Sequence, residues 1–280
     1  MGQGEPVSSS ALTAVTELTG VEATSTHRLS GSVYEVELAD GDLVVAKRHT
    51  QVSAVLAEAK SLDWIAEPGV VPVPAVRGHS DHWLVIEQIE PGQPADAEAF
   101  GRGLAALHLA GAPAFGSPPP DGPADAWIGL APMYNGPVTS WPEFFATQRI
   151  EPYLRRTTLP WAPFEAVCAR LPDLVPEEPP ARLHGDLWSG NVHWATDGRA
   201  WLIDPAAHGG HRETDLAMLQ LFGCPMLDRV LGAYQEVYPL ADGWQARVPL
   251  HQLFPLLVHV VLFGGGYASQ ALSAARAALR

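Results

Sequence analysis

Basic residues are scarce in this chain. Seventeen lysines and arginines stand against 31 aspartates and glutamates, a formal net charge of −14 over 280 residues. Nucleic acids and anionic membranes are held by basic surfaces, so neither is an expected partner. Cysteine is scarcer still. Cys168 and Cys224 are the only two; they have no C-x-x-C or His-rich metal spacing and imply no disulfide framework in a chain of this length. The first residues, MGQGEPVSSS, lack a charged start and an apolar core, so no secretory leader is expected. Met1-Gly2 could open a myristoylation signal, but Pro6 stands where that signal needs Ser or Thr. The longest apolar run, Leu253 to Phe263, is interrupted by Pro255 and His259 and is too short to span a bilayer. A cytoplasmic protein is therefore expected. No internal repeat or low-complexity tract is present. What the chain has in quantity is apolar residue, 47%, enough to build one globular protein of one or two lobes.

The chemistry concentrates between Leu183 and Asp215. His184-Gly185-Asp186 is followed by Asn191 and then by Asp204. Val192–Trp194 and Ala200–Ile203 read as two short strands around Asp197-Gly198, a common hairpin signal, and that hairpin would fold Asp204 back beside Asn191. Phosphoryl transfer asks a protein for a carboxylate that orients and deprotonates the attacking hydroxyl, and for oxygen ligands to the metal on the nucleotide phosphates. Asp186 suits the first task. Asn191 and Asp204 suit the second, because Mg2+ prefers oxygen donors and takes only one or two from protein. The pattern H-G-D-x-x-x-x-N with a later Asp follows the kinase catalytic loop, with Gly185 where protein kinases carry an Arg that pairs with an activation-loop phosphate. A small-molecule kinase without that switch is the expectation.

Upstream, a strand ending near Leu29, then Val33–Leu38 and Leu43–Lys47 around Asp40-Gly41, predict antiparallel strands. Ser30-Gly31-Ser32 is either a plain turn or the cover of the nucleotide phosphates. Lys47 closes the run Leu43-Val44-Val45-Ala46, as the phosphate-pairing Lys closes V-A-I-K. The apolar stripe Val52, Val55, Leu56, Ala59, Leu62 predicts one helix, bounded by Ser53 and Pro68-Gly69, with Glu58 at its edge able to reach Lys47. Val73–Val76 and Trp83–Ile86 predict further strands. Glu87-Gln88-Ile89 then offers backbone N–H and C=O groups to adenine, and Glu90-Pro91-Gly92 breaks the chain into residues 1–90 and 91–280. The second part reads as helical: Asp96–Ala110 with His108 on the buried side, Ser140–Arg155, Met226–Tyr238, and Gln252–Leu279 broken at Gly264-Gly265-Gly266. The fold class is α+β, with a small antiparallel nucleotide-binding lobe carrying one helix and a mainly helical catalytic lobe.

From about Val33 to the end, the chain resembles the fructosamine (ketosamine) kinase family, small-molecule kinases of the protein-kinase-like fold. The residues are His184-Gly185-Asp186-Leu187-Trp188-Ser189-Gly190-Asn191, then Asp204-Pro205-Ala206 with Gly210, Arg212-Glu213 and Asp215-Leu216-Ala217-Met218. Trp127-Ile128-Gly129, Asn135, Trp141, Phe144-Phe145, Gln148-Arg149 and Phe263-Gly264-Gly265 add to them. His208, His211 and Met133 depart from the family's usual Tyr, Asp and Gln. The resemblance implies ATP and Mg2+ as cofactors and phosphorylation of the 3-hydroxyl of ketoamines, after which the adduct falls apart and the amine is repaired. It also implies that Lys47 places phosphates, Glu58 orients Lys47, and Arg212, Glu213 and Asp215 brace the catalytic loop. Trp188, two residues past Asp186, offers a flat face for a sugar's C–H surface or a cationic amine. Two rivals remain at this stage: a kinase for another alcohol, aminoglycoside- or choline-like, and a silent nucleotide-binding protein.

Overall fold

The computed structural model describes residues 7–280; the N-terminal reading of Met1 to Pro6 lies outside them. Helix α1 (Val7–Thr19) precedes a five-stranded antiparallel sheet of β1 (Ala23–Ser30), β2 (Val33–Leu38), β3 (Leu43–Arg48), then helix α2 (Val52–Ala66), β4 (Val76–His79) and β5 (Trp83–Glu87), in the order β1-β2-β3-β5-β4. The sheet is apolar on both faces. Tyr34, Val36, Leu38, Val44, Ala46 and Val85 pack under α1 through Ala11 and Val15, whereas Leu84 and Ile86 pack on α2 through Val55, Ala59 and Leu62. One helix cannot cover two faces. The expectation of a single helix in this lobe is therefore corrected to two, α1 supplying the second cover.

Two boundaries differ from expectation. The residue preceding α2 is Gln51, and Ser53 lies inside the first turn, where its Oγ accepts a hydrogen bond of 3.1 Å from the Trp127 indole N–H. Val73 to Ala75 are not strand, because Pro72 and Pro74 have no N–H for a ladder; β4 begins at Val76. Glu87 nonetheless tethers that segment, its N–H donating to Ala75 O at 2.9 Å.

After the linker, α3 (Ala97–Leu109) starts at Asp96, whose carboxylate caps Ala99 N at 2.9 Å. The hairpin β6 (Ala126–Ile128) and β7 (Ala131–Met133) precedes α4 (Trp141–Phe144), which runs through a π-helical turn, Phe145–Ile150, into α5 (Glu151–Leu154). Next come α6 (Ala162–Leu174), β8 (Ala181–Leu183), the hairpin β9 (Val192–Trp194) and β10 (Ala200–Leu202), β11 (His208–Gly210) and α7 (Glu213–Leu221). The chain ends in α8 (Leu227–Val237), α9 (Trp244–His251), α10 (Leu253–Phe263) and α11 (Gly266–Ala277). The run Trp244–Phe263 reaches 20 residues at a mean hydropathy of 1.4, enough by length and composition to cross a membrane. Its centre, Leu253 to Val258, is buried against Ile150, Tyr153 and Leu154 in the helical core.

Helices α3 and α8 meet closely because Gly101 has no side chain: a Cβ there would overlap the Val230 carbonyl oxygen. Gly232, on α8, has nothing within 4 Å of the same position. Gly101→Ala should therefore lower stability by about 1–3 kcal/mol through overpacking, and Gly232→Ala should raise it by about 0.4–1 kcal/mol by restricting the unfolded chain. Urea unfolding of the two variants checks the opposite signs.

Candidate active site

The loop between β8 and β9 is held from below. Asp215, 1% exposed, stands in the first turn of α7 and accepts the backbone N–H groups of His184 at 2.8 Å and Gly185 at 3.0 Å. His108 on α3 lies 3.2 Å from the same carboxylate, with its other ring nitrogen 2.8 Å from the Tyr234 hydroxyl. Burial works against the charge of Asp215, but His108, His184 and the two N–H groups outweigh it and keep the carboxyl below its usual range. Gly185 sits at φ +84°, where a Cβ would overlap the Ala206 carbonyl. An Arg at that position would not fit this backbone.

His184 is fully buried. Its Nε2 donates to Ile203 O at 3.0 Å, which leaves Nδ1 to accept from Asp186 N at 3.3 Å; a carbonyl can only accept, so the tautomer is set. Asn191 Nδ2 donates to Asp186 O at 2.8 Å and to Asp186 Oδ2 at 3.1 Å. Asn191 Oδ1 has no protein partner among the described residues. Burial pushes the Asp186 carboxyl up to about 7 against the Asn191 hydrogen bond, with Asp204 and Asp215 adding to the rise.

Asp204 follows the β9–β10 hairpin, as its spacing predicts, and Ile203 N donates to Asn191 O at 3.1 Å. Its φ of +54° is a left-handed conformation unusual outside glycine, the kind of local strain that surrounding structure must impose. Its carboxylate, half exposed, contacts Lys47 Nζ. Lys47 is 2.7 Å from Glu58 Oε1, which places the β3 lysine, the α2 glutamate and the hairpin aspartate in one line. Burial by itself would lower the Lys47 pKa; Glu58 and Asp204 outweigh it and raise it.

The remaining sequence-predicted positions separate. Gly31 occupies the β1–β2 turn at φ +46° with open space around it, and Arg28 Nε donates to its carbonyl at 2.6 Å. The Glu87 N–H is taken by Ala75. Ile89 O accepts from His193 Nε2 at 3.1 Å, and the Ile89 N–H has no protein partner among the described residues. Trp188 is 40% exposed, lies across Gly190, where a Cβ would overlap the ring, and meets Phe222 edge-on at 6.1 Å. It is not core. Of the three residues expected to brace the loop, only Asp215 touches it. Arg212 forks onto Glu178 at 2.7 Å through both Nε and Nη2, and Glu213 pairs with Arg247.

Sequence reasoning missed what pins α2 to the helical lobe. Ser61 Oγ accepts from Ala207 N at 3.2 Å, and Arg182 on β8 donates to Trp64 O at 2.8 Å and Glu67 at 2.6 Å. A serine amid a buried helical face was the available signal for the first. Arg182 had none.

These parts define a phosphotransferase of the protein-kinase-like fold, and solved structures agree. A choline kinase from Streptococcus pneumoniae superposes with a TM-score of 0.61 at 18% identity, covering 95% of this chain and 96% of that one. A candidate fructosamine-3-kinase from Thermobifida fusca superposes with a TM-score of 0.88 at 50% identity, over 97% of this chain and 99% of that one. The fructosamine kinase family profile matches residues 8–280, and a probable ketoamine kinase of Thermus thermophilus is 37% identical over 215 residues, 75% of this chain and 77% of the relative. The chain belongs to the fructosamine kinase family.

Asp215→Asn should both destabilise the fold and impair the loop, because the amide keeps the shape but cannot accept as a charge. Breaking a buried charged network costs about 3–5 kcal/mol. A denaturation midpoint equal to wild type would refute the bracing role.

Proposed function

We propose that the protein phosphorylates the 3-hydroxyl of ketosamines with ATP and Mg2+, releasing the amine once the phosphorylated adduct breaks down. The observation that carries this reading is a complete kinase loop with the family's exposed Trp188 beside Asp186. Relatives named for ketoamines, including the mouse ketosamine-3-kinase at 36% identity over 159 residues, support the substrate class. Choline and aminoglycoside kinases share the fold at 12–18% identity, and that likeness supports no substrate.

In this mechanism Asp186 accepts the proton of the 3-hydroxyl as its oxygen bonds to the γ-phosphorus and the bond to the β-phosphate oxygen breaks, so that ADP leaves. A carboxyl raised toward neutral pH suits a general base. Asn191 keeps Asp186 in place by its Nδ2 and has Oδ1 to offer; with the Asp204 carboxylate it forms an oxygen donor set of the kind Mg2+ takes. The ion would neutralise phosphate charge that Asp186, Asp204 and Glu58 otherwise repel. Lys47, fixed by Glu58, holds the phosphates, Gly31 passes over them, and the Ile89 N–H, with the Glu87 N–H and the Ile89 carbonyl already engaged, faces adenine. Trp188 stacks on the sugar or its ammonium.

Asp186→Asn should fold and bind ATP normally while kcat falls by about 10^2 to 10^4, the usual worth of a general base. Transfer assayed on fructosamine, ribulosamine and erythrulosamine adducts of lysine tests both role and substrate; a kcat within about threefold of wild type would exclude Asp186 as the base.

Trp188→Ala should raise KM for the ketosamine about tenfold, matching about 1–2 kcal/mol of cation–π contact. ATP KM and the melting temperature should hardly change, since the ring is not core. Unchanged sugar KM with a large melting shift would defeat the stacking role.

A further inference from the structure

Two exposed aromatic side chains, Trp188 at 40% and Phe263 at 66%, lie at the ends of one series of rings that phosphoryl transfer by itself does not call for. Trp188 meets Phe222 at 6.1 Å. Phe222, which follows α7, lies 4.9 Å from His259 on α10, and His259 lies 5.4 Å from Phe263 and 4.8 Å from Tyr267 on α11, all between ring centres. The far end is shaped by the corner between the two helices. Gly264 and Gly265 sit at φ +61° and +56°, left-handed values suited to glycine, and α11 folds back so that Tyr267 comes within 6.2 Å of Phe263.

The α10–α11 side of the series carries no charge. Between Arg247 and Arg276 the sequence has no Asp, Glu, Lys or Arg. His259 Nδ1 donates to Pro255 O at 2.7 Å, and burial lowers the pKa of the ring, which keeps the imidazole neutral. The β6–β7 turn meets α10 where Leu262 lies 3.6 Å from the position of a Gly129 Cβ, and Leu130 of that turn is 81% exposed. Exposed apolar surface gathered beside a catalytic loop marks a contact for a ligand.

A ketosamine nitrogen carries two carbon substituents, the sugar and the group that was glycated. A sugar held on Trp188 therefore brings the second group beside Phe222, and a substituent several atoms long continues toward His259 and Phe263. We propose that Phe222, His259, Phe263 and Tyr267 form the subsite for the group on the ketosamine nitrogen, and that this subsite selects apolar and aromatic amines over anionic ones. Aromatic rings take C–H groups and other rings, whereas a carboxylate there would give up water for a surface with no positive partner. The inference rests on the ketosamine reading and on Trp188 as the sugar platform, and adds the class of amine.

The test holds the sugar constant, using whichever of the fructosamine, ribulosamine and erythrulosamine adducts is turned over fastest, and varies the amine: methylamine, butylamine, benzylamine and glycine. The butylamine and benzylamine adducts should exceed the methylamine adduct in kcat/KM by about tenfold or more, the scale of a few buried methylenes, with most of the gain in KM. The glycine adduct should gain nothing. Phe263→Ser should cut the benzylamine-to-methylamine ratio to about threefold or less, and Phe263→Leu should keep most of it. A merely structural role would lower the rate on every adduct by one factor and leave the ratio intact. Melting curves check that the variants fold, and Tyr267→Ser carries the same ratio test if Phe263→Ser does not. Equal kcat/KM on the four adducts, or a ratio that neither serine variant changes, overturns the subsite while the ketosamine reading stands. If no adduct of any of the three sugars is phosphorylated, the ketosamine reading fails and the subsite falls with it. Wild-type protein that sediments as a dimer or with phosphatidylcholine vesicles, and ceases to do so as Phe263→Ser, assigns the rings to a second copy or to lipid and also overturns the subsite.

Discussion

A single buried carboxylate sets the active loop. Asp215 is out of reach of solvent, and a charge there is tolerable only if it is surrounded by donors. It finds them in the N–H groups of His184 and Gly185 and in the ring of His108. The bargain runs both ways, since two N–H groups at a sharp turn with Gly185 at φ +84° would otherwise be orphaned. Because α7 carries Asp215 and α3 carries His108, the packing of two helices determines where Asp186 points. The loop is thereby positioned by the helical core and not by its own short sequence.

The nucleotide side depends on a different constraint, the fixation of α2. In switchable kinases the corresponding helix must be brought into place before its Glu can meet the lysine. Here α2 is tied to the helical lobe along its whole length. Trp127 bonds Ser53 in its first turn, Ala207 bonds Ser61 in its middle, and Arg182 grips Trp64 O and Glu67 at its end. Ala57 is itself part of the core that contains Phe144, Tyr153 and Phe254. Three anchors hold this 15-residue helix against the helical lobe, beside a catalytic loop whose Gly185 has no room for the phosphate-sensing Arg.

Much of this was legible because the chemistry is local. Asp186, Asn191 and Asp204 are tied to one another by a loop and a hairpin, so spacing alone brings them together. Lys47 and Glu58 were legible because a strand end and the next helix face are adjacent in any such hairpin-helix unit. The missed features are non-local or silent in pattern. Helix α1 was missed because its need arises from the second apolar face of a sheet whose pairing is known only once folded. Val73–Val76 read as a strand, but Pro72 and Pro74 have no N–H for the ladder, and the strand begins only at Val76. The π-helical turn at Phe145–Ile150 carries no period of its own; it turns Arg149 inward, where the guanidinium lies 4.4 Å from Phe144 and 4.9 Å from Phe254 and donates to Asn135 at 2.7 Å.

The scarcity of basic residues acquires a structural meaning from where each kind is placed. The chain has two lysines, Lys47 and Lys60, and 15 arginines. Arg149, Arg182, Arg212 and Arg247 are all engaged in bracing: they hold backbone carbonyls, fork onto Glu178 and Glu213, or lie over aromatic rings. A planar guanidinium with five fixed donors is suited to that work, since it satisfies several buried acceptors at once. A compact ammonium with rotatable donors is suited to a ligand whose oxygens change position as the reaction proceeds. Lys47 is the buried ammonium beside the loop, and it is enclosed by Glu58 and Asp204. Arginines spent on the frame and one lysine beside Asp186, Asp204 and Glu58 give a site that is net acidic, so the proposed binding of a polyphosphate there calls for a cation to offset the repulsion.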